Sequence, residues 1–388
     1  MRAEGDEAID ACQSNGVRHL IVADDLTGAC DSAVAFAGRG LEVEVPLWSN
    51  GDPSSAGVCA VSTESRDIPE AAAMERVRAA LSEVPATGEV FKKIDSVLRG
   101  NTYAEIRAAV ELFPSALVVM SPAYPVLGRT VKGGVLRIED GTQKRAIDLR
   151  EGLHRSGIGD PVLLPVGASQ EKLAAGMHEA MRTTSRLVLC DAEGEQDLQA
   201  AVTAARSLGC RVLWVGSGGL AHALAHDLPQ RVVEHRTEGE GDGRVLLFIG
   251  SDHAVTTKQV AILKQVAEVG ESAVEACMSQ TLPEHVLVLK VSRGITTEQQ
   301  IQQALSSTGD KGIRCCLLTG GDTAALVLRA SGVRSLRLTG EFAPGLPRGV
   351  AKGGVLDGVP VILKSGGFGR EDVLCRIVDR FAGRREFV

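Results

Sequence analysis

The 388-residue sequence has few aromatic residues and no excess of basic residues, and both absences narrow its function. Aromatic residues make up 3% of the chain, too few for the stacking surfaces that bind single-stranded nucleic acid. The net charge is −7, whereas proteins that coat nucleic acids or anionic membranes are usually basic. We therefore expect a small-molecule partner, with no nucleic acid and no membrane.

Long apolar segments and paired-cysteine motifs are also missing. No run of 18 apolar residues is present, so no transmembrane helix is predicted. The acidic residues 1–7 lack the apolar core of a signal peptide. Nine cysteines without a CxxC pair are typical of reduced thiols in a core, and Cys315 and Cys316 lie in an apolar, strand-like run. These features predict a cytoplasmic protein.

Short apolar runs alternate with amphipathic segments along the whole chain. Examples are the strand-like runs at 17–23, 89–95 and 116–121 and the helical pattern at 102–112. This alternation predicts an α/β fold of two domains, each with a largely parallel sheet flanked by helices. The polar, glycine-rich segment 234–243 is predicted to link a domain at 1–233 to one at 244–388.

Ligands of open α/β sheets bind beyond the carboxyl ends of the strands, so the residues there are site candidates. The first such turn carries Asp24 and Asp25, whose adjacent charges repel unless a cation or a hydroxylated ligand offsets them. A helix N-cap is the alternative explanation for one of the two aspartates.

The next two strand ends in this half carry cations. Lys93 and Asp95 share one face of a strand, and Ser96 and Arg99 follow. A structural Lys93–Asp95 pair is the alternative to ligand binding there. Arg129 follows the next strand and is either a bidentate grip on an anion or a surface arginine. Together these loops predict a site for a small, hydroxylated anion.

In the C-terminal half, three apolar strands end in glycine loops. Glycine allows a ligand to approach the backbone, and the helix N-termini that follow favour negative charge. The loops predict a phosphate or nucleotide site, with tight structural turns as the alternative. A Walker A loop is excluded because the chain has no Gly-Lys dipeptide. The candidate residues are Ser251, Gly320, Gly321, Asp322, Thr323, Gly366 and Gly367.

Two further motifs offer competing functions. The segment from Gly216 to Ala221 matches a dinucleotide-binding fingerprint, which would suit an oxidoreductase. However, the helix after it is short and ends by Pro229. His222 and His226 have the spacing of a metal pair, but a solvated helix face is expected because no third ligand is near in sequence. A non-catalytic protein that binds sugar acids is another alternative.

Seven motifs in chain order closely resemble the four-carbon acid sugar kinase family. They are VADDLTGACDSAVAFAGRG, FKKIDSVLRGN, SPAYPVLGRT, the Gly250-Ser251 turn, LTGGDTAALVLRASGVRSLRL, GEFAPGLPRG and LKSGGFGREDVL. The resemblance implies an acid-sugar domain followed by a nucleotide domain, with the active site in the cleft between them. It implies ATP- and Mg²⁺-dependent phosphorylation of the C4 hydroxyl of 3-oxo-tetronate, D-threonate or D-erythronate. A homodimer is a further expectation.

The resemblance also implies residue roles. The acid sugar would be held by the loops of Asp24 and Asp25, Lys93 to Arg99, and Arg129. The nucleotide would be held by Ser251, Gly320 to Thr323, and the Gly366-Gly367 turn. We expect Asp25 to take the hydroxyl proton, with Asp95 as the second choice. Three positions depart from the family pattern, namely Cys30, Asp322 and Gly367.

Overall fold

The computed structural model describes residues 18–47, 57–82, 88–140, 143–230, 243–279, 285–306 and 312–382. The chain divides into two compact units, Met1–Val232 and Val233–Val388. Strands and helices alternate in both, which confirms the predicted α/β class. Residues 234–242 of the predicted linker lie outside the described residues, so its role stays a prediction. Within the described ranges, no helix is long and apolar enough to cross a membrane.

The main sheet of the first unit consists of parallel strands. Its described strands are β1 (His19–Ala23), β2 (Val43–Pro46), β3 (Val58–Ser62), β4 (Glu89–Lys93), β5 (Leu117–Ser121), β9 (Val162–Leu164), β10 (Leu187–Cys190) and β11 (Val212–Gly216). They lie in the order β2-β3-β1-β4-β11-β5-β10-β9. Strand β11 pairs in register with β4 on one side and β5 on the other, although it is the last of them in the chain.

Helices connect these strands. They are α1 (Leu26–Ala37), α2 (Glu70–Leu81), α3 (Thr102–Leu112), α4 (Leu149–Arg155), α5 (Gln170–Ala180), α6 (Glu195–Ser207) and α7 (Gly218–His226). In the strand order, the chain moves from β1 to β2 toward one edge of the sheet and from β4 to β5 toward the opposite edge. The carboxyl ends of β1 and β4 therefore border a topological switch point, where α/β sheets bind ligands.

A second, antiparallel sheet in the first unit was not predicted. It is formed by β6 (Arg129–Lys132), β7 (Val135–Asp140) and β8 (Gln143–Asp148), in that order. Gly133 and Gly134 make the turn between β6 and β7 with φ of +61° and +74°, a conformation that glycine adopts without strain. In β7, buried Leu136 and Ile138 alternate with exposed Arg137 and Glu139, so a search for continuous apolar runs does not find this strand.

The second unit has a mixed sheet. Its strands are β12 (Arg244–Ile249), β13 (Gly270–Ala273), β14 (Val286–Lys290), β15 (Ile313–Thr319), β16 (Ser335–Ala343), β17 (Leu346–Lys352) and β18 (Pro360–Lys364). The order β13-β14-β12-β15-β18 is parallel, and β17 and β16 continue it antiparallel. The helices are α8 (Ala254–Val266), α9 (Glu298–Ser306), α10 (Gly321–Ala330) and α11 (Val373–Ala382).

The core of the second unit lies between this sheet and two helices. Val245 and Leu247 of β12 pack with Leu263 of α8 and Ile377 of α11, all fully buried. Leu263 and Ile377 each belong to a series of apolar residues spaced three to four apart, which places them on the helix face that meets the sheet. This packing fixes the strand ends of β12, β15 and β18, from which the glycine loops start.

Most of the cysteine prediction holds. Cys315 and Cys316 are fully buried in β15, as expected for strand core. Six described cysteines are free thiols, namely Cys30, Cys190, Cys210, Cys315, Cys316 and Cys375. Cys59 in β3, however, is disulfide-bonded, so the expectation that every thiol is reduced is wrong at this position. An odd cysteine count does not exclude a single disulfide.

Candidate active site

Three carboxylates and one arginine form a cluster at the carboxyl edge of the first unit's main sheet. Asp24 and Asp25 follow β1, Asp95 follows β4, and Arg66 follows β3. The Arg66 guanidinium donates from Nε and Nη2 to Asp24, at 2.7 and 3.0 Å, and from Nη1 to Asp25 at 2.5 Å. Its Nη2 also lies 3.5 Å from Asp95 Oδ2. One cation thus holds three acidic side chains together.

Asp25 is both a helix cap and a member of this cluster. It is the N-cap of α1, where its Oδ1 accepts from the Gly28 backbone N–H at 2.7 Å. Its Oδ2 accepts from the Thr27 hydroxyl at 2.9 Å. Burial, reinforced by the charge of Asp24, raises the pKa of Asp25 despite the attraction of Arg66. A raised pKa makes Asp25 a better proton acceptor than an ordinary aspartate.

Asp95 has the opposite electrostatics. Its Oδ2 accepts from Arg99 Nη2 at 2.6 Å and Nε at 3.1 Å, and its Oδ1 accepts from the Val97 backbone N–H at 3.0 Å. Burial alone would raise its pKa, but the hydrogen bonds and charge of Arg99 hold the pKa of Asp95 well below its usual range. Asp95 is therefore a fixed anion that orients Arg99, and it is poorly suited to act as a base.

Lys93 and Ser96 are the hydrogen-bonding groups that the cluster leaves open. Both residues are buried, and Lys93 Nζ lies 3.1 Å from where a Cβ on Gly28 would be. Among the described residues, neither Lys93 Nζ nor Ser96 Oγ has a hydrogen-bond partner, and no Lys93–Asp95 ion pair forms. A ligand next to Asp25 would find an ammonium and a hydroxyl with bonds still to make.

Arg129 lies in β6, in a different sheet from the cluster. It is 6% exposed, so the alternative of a surface arginine is wrong. Its Nη1 donates to the Leu127 carbonyl, at the end of the preceding 3-10 turn. Of the predicted site residues, Asp24, Asp25 and Asp95 thus meet in the cluster and Arg99 joins it through Asp95, whereas Arg129 belongs to a separate element.

Arg66 was missed by the sequence reasoning. The segment Thr63-Glu64-Ser65-Arg66 follows β3, and reading that strand end as the others were read would have marked Arg66 as a site candidate. Gly100 confirms how tightly the loops pack, because a Cβ there would lie 2.9 Å from Arg66 Cγ. The two adjacent carboxylates of 24 and 25 are thus offset by a cation of the protein itself.

The second unit brings its three glycine loops together at one sheet edge. A Cβ on Gly250 would overlap the Thr323 hydroxyl, and a Cβ on Gly366 would overlap the Ser251 hydroxyl. Gly320 has φ of +92°, is the N-cap of α10, and donates its N–H to the Lys364 carbonyl at 2.9 Å. The loops after β12, β15 and β18 are therefore in contact, at the switch point between β12 and β15.

The residues that depart from the family pattern lie in different surroundings. Asp322 is exposed and pairs with Arg293, from the loop after β14, at 3.0 Å. Gly367 is half-buried in the turn after β18. Cys30 is fully buried in α1, where burial and the charges of Asp25 and Asp31 raise the pKa of its thiol. Of these three residues, Asp322 is the most exposed.

The dinucleotide motif has a packing role. A Cβ on Gly219 would overlap the Ala123 carbonyl, and one on Gly216 would lie 2.6 Å from the Ser121 carbonyl. The neighbouring His222 does not lie on a solvated face as expected, because its ring is 5.9 Å from that of Tyr124 and burial lowers its pKa. His226 is exposed. In the described part of the chain, no three His, Cys, Asp or Glu residues form a metal site.

Comparisons with known proteins identify the family. Residues 19–224 match the model of a sugar-binding N-terminal domain, and residues 283–374 match that of a nucleotide-binding C-terminal domain. A D-threonate kinase of Bordetella bronchiseptica is 32% identical, over 94% of this chain and 98% of its own length. The chain belongs to the four-carbon acid sugar kinase family.

Two further comparisons, with one relative and one solved structure, show how far the similarity extends. A D-erythronate kinase of Heliobacterium modesticaldum is 27% identical, over 93% of this chain and 96% of its own. A solved structure from Salmonella typhimurium LT2 has a TM-score of 0.74 at 22% identity and covers 94% of this chain and 99% of its own. At that identity, the structural likeness supports the fold of the kinase family and nothing finer.

Proposed function

We propose that the protein is an ATP-dependent kinase that phosphorylates the C4 hydroxyl of a four-carbon sugar acid. Within the family, the D-threonate kinase is more similar in sequence than the D-erythronate kinase, so D-threonate is the first substrate to test. The observation that carries the proposal is the Asp24, Asp25 and Asp95 cluster, with Lys93 and Ser96 left open for a hydroxylated anion. The alternative substrates are D-erythronate and a 3-oxo-tetronate.

The substrate side of the reaction follows from the cluster. Asp25 orients the C4 hydroxyl and accepts its proton as the hydroxyl oxygen attacks the γ-phosphorus of ATP. The bond from that phosphorus to the bridging oxygen breaks, and ADP leaves. Lys93, Arg99 and Arg129 balance the charge of the carboxylate and of the transferring group, which is the main demand of phosphoryl transfer. Asp95 keeps Arg99 in place, and Asp24 keeps Arg66 in place.

The nucleotide side rests on the glycine loops. Backbone N–H groups at the start of α10, from Gly321 to Thr323, suit phosphate oxygens, and Ser251 and the Gly366-Gly367 turn complete the site. Magnesium is usually held by one or two carboxylates together with substrate phosphates, and the exposed carboxylate of Asp322 fits this requirement. When bound, Mg²⁺ neutralises phosphate charge. A reaction in an interdomain cleft, a homodimer and a cytoplasmic location stay predictions.

The test is ADP release from ATP and Mg²⁺ with D-threonate, D-erythronate and their 3-oxo forms. We expect turnover with at least one acid, and ³¹P NMR of the product should show a phosphate ester at C4. No turnover with any of them would contradict the kinase proposal. Binding of an acid without ADP release would instead support a non-catalytic sugar-acid-binding protein.

Asp25 can be tested against a matched helix cap. Asp25→Asn should lower kcat by about 10²–10⁴-fold, because a positioned base contributes about that factor. Asp148 is the N-cap of α4 in the same unit, where it accepts from the Arg150 backbone N–H at 2.9 Å. Asp148→Asn should therefore leave kcat unchanged. Equal effects of the two substitutions would reduce Asp25 to a structural cap.

A further inference from the structure

Lys364, the last residue of β18, carries a fully buried ammonium group beneath the glycine loops. Its Nζ donates to the Thr256 hydroxyl at 2.8 Å, to the Gly366 carbonyl at 3.0 Å and to the Ser365 carbonyl at 3.3 Å. No carboxylate lies within ion-pair distance of Nζ in the part of the chain that the structure describes. Burial lowers the pKa of Lys364 to about 7.

A buried ammonium without an acidic partner is costly, and the same chain shows the usual solution. Lys92 in the first unit is equally buried, but its Nζ lies 2.8 Å from Glu105 Oε2. At Lys364, neutral oxygens alone take all three N–H donors. A fold keeps such an arrangement when the charge or the bonds serve a ligand, because an apolar side chain would be more stable there.

The oxygens around Lys364 belong to the turn that the nucleotide is proposed to contact. The Gly366 carbonyl also accepts from the Thr256 hydroxyl at 2.7 Å, so α8, β18 and the turn form one hydrogen-bonded unit. Gly366 approaches Ser251 of the loop after β12, and the Lys364 carbonyl accepts from the Gly320 N–H. Lys364 therefore connects all three glycine loops through its own atoms or those of the next two residues.

We propose that Lys364 is a positioning residue for nucleotide binding. Its ammonium holds the 365–367 turn in place and supplies a positive charge that the phosphates of the nucleotide neutralise. The inference rests on the nucleotide site of the proposed function. It assigns no chemical step to Lys364, since the ammonium contacts protein oxygens and acts through the turn. Lys364 thus determines both the backbone conformation of the turn and the positive charge at the nucleotide site.

The experiment compares Lys364→Met and Lys364→Ala with wild type by titration calorimetry with MgADP. Met fills the volume of the stem without charge, and Ala leaves space for an added amine. The Kd for ADP should rise about 10- to 100-fold in both, the range expected when hydrogen bonds from a charged group are lost. n-Propylammonium should restore most of the affinity of the Ala variant but not that of the Met variant. Lys352→Met, at the exposed last residue of β17, should bind ADP like wild type.

Kinetics separate positioning from general structural damage. In Lys364→Met, the KM for ATP should rise while the KM for the sugar acid stays unchanged. ADP binding equal to wild type in both Lys364 variants, or an Ala variant that the amine does not rescue, would overturn the inference. If neither variant folds, Thr256→Val tests it, because that change removes one acceptor of Nζ and should raise the Kd about threefold or more. An unchanged Kd would refute the role.

Failure of the inference and failure of the proposed function give different results. Wild-type protein that binds no ADP would contradict the nucleotide site and, with it, the proposed kinase. Wild-type protein that binds ADP normally, with Lys364 variants that bind it equally well, would contradict the role of Lys364 alone.

Discussion

The buried ion pair between Lys92 of β4 and Glu105 of α3 offers a direct test of what stabilises the first unit. The two side chains are 0% and 2% exposed, and Lys92 Nζ lies 2.8 Å from Glu105 Oε2. The other Glu105 oxygen accepts from the Ser65 hydroxyl at 2.6 Å. At this separation and an effective dielectric constant near 20, the attraction is about 6 kcal/mol, which offsets the desolvation of both charges.

Glu105→Gln removes one charge and leaves the ammonium of Lys92 buried without an anion. Breaking a buried pair in this way costs about 3–5 kcal/mol. We therefore expect the free energy of unfolding of the first unit to fall by about that amount. Lys92→Met combined with Glu105→Leu should recover most of the loss, because apolar side chains of similar size remove both desolvation penalties.

Urea unfolding followed by tryptophan fluorescence isolates the first unit. The two tryptophans of the chain, Trp48 and Trp214, both belong to Met1–Val232. The matched control is Glu111→Gln on the same helix, whose pair with Arg78 is exposed and should contribute no more than about 1 kcal/mol. A loss below about 1 kcal/mol for Glu105→Gln, or a double variant as unstable as the single one, would refute this reasoning.

Two further predictions concern the nucleotide loops and pH. Gly366→Ala should weaken MgADP binding about tenfold by calorimetry, because its Cβ would overlap the Ser251 hydroxyl, whereas Gly312→Ala, with nothing within 4 Å, should have no effect. Burial alone would raise the pKa of Glu89, but hydrogen bonds from His19 and Arg206 lower it to about 2. Its stabilisation is therefore complete above pH 4.5 and lost toward pH 2. The difference between the urea midpoints of wild type and Glu89→Gln should be full at pH 6 and fall to less than half of that by pH 3, and a constant difference would contradict this.

Much of the fold could be predicted because the apolar runs of the main sheets are short, continuous and bounded by turn residues. The helix predicted at 102–112 is α3, with the same bounds. The meander of β6 to β8 was missed because the strands were sought as continuous apolar runs, whereas β7 buries only every second residue, such as Leu136 and Ile138. Local patterns therefore reveal the elements that bury a complete face and overlook those that bury little.

The site was predicted less completely than the fold. Asp24 and Asp25 could be found because two carboxylates in one turn are locally unusual. Arg66 could not be placed from its neighbours, since its partners lie in other loops and the contact depends on the order of β3, β1 and β4. Similarly, strand alternation shows that Lys92 and Lys93 point to opposite faces of the sheet. It does not show that Glu105 lies on the face to which Lys92 points. Contacts between residues far apart in sequence determine both placements, and local sequence patterns do not reveal them.

The position of β11 constrains how the first unit is made on the ribosome. Because β11 is inserted between β4 and β5, these two strands have no partner on their facing sides until residues 212–216 have left the exit tunnel. Synthesis covers the roughly 90 residues after β5 in about 5–20 s, and two apolar strand edges stay open for that time. Chain fragments that stop before β11 should therefore aggregate, since unpaired edges recruit other strands. The unit can be expressed intact only as a segment that includes its last strand.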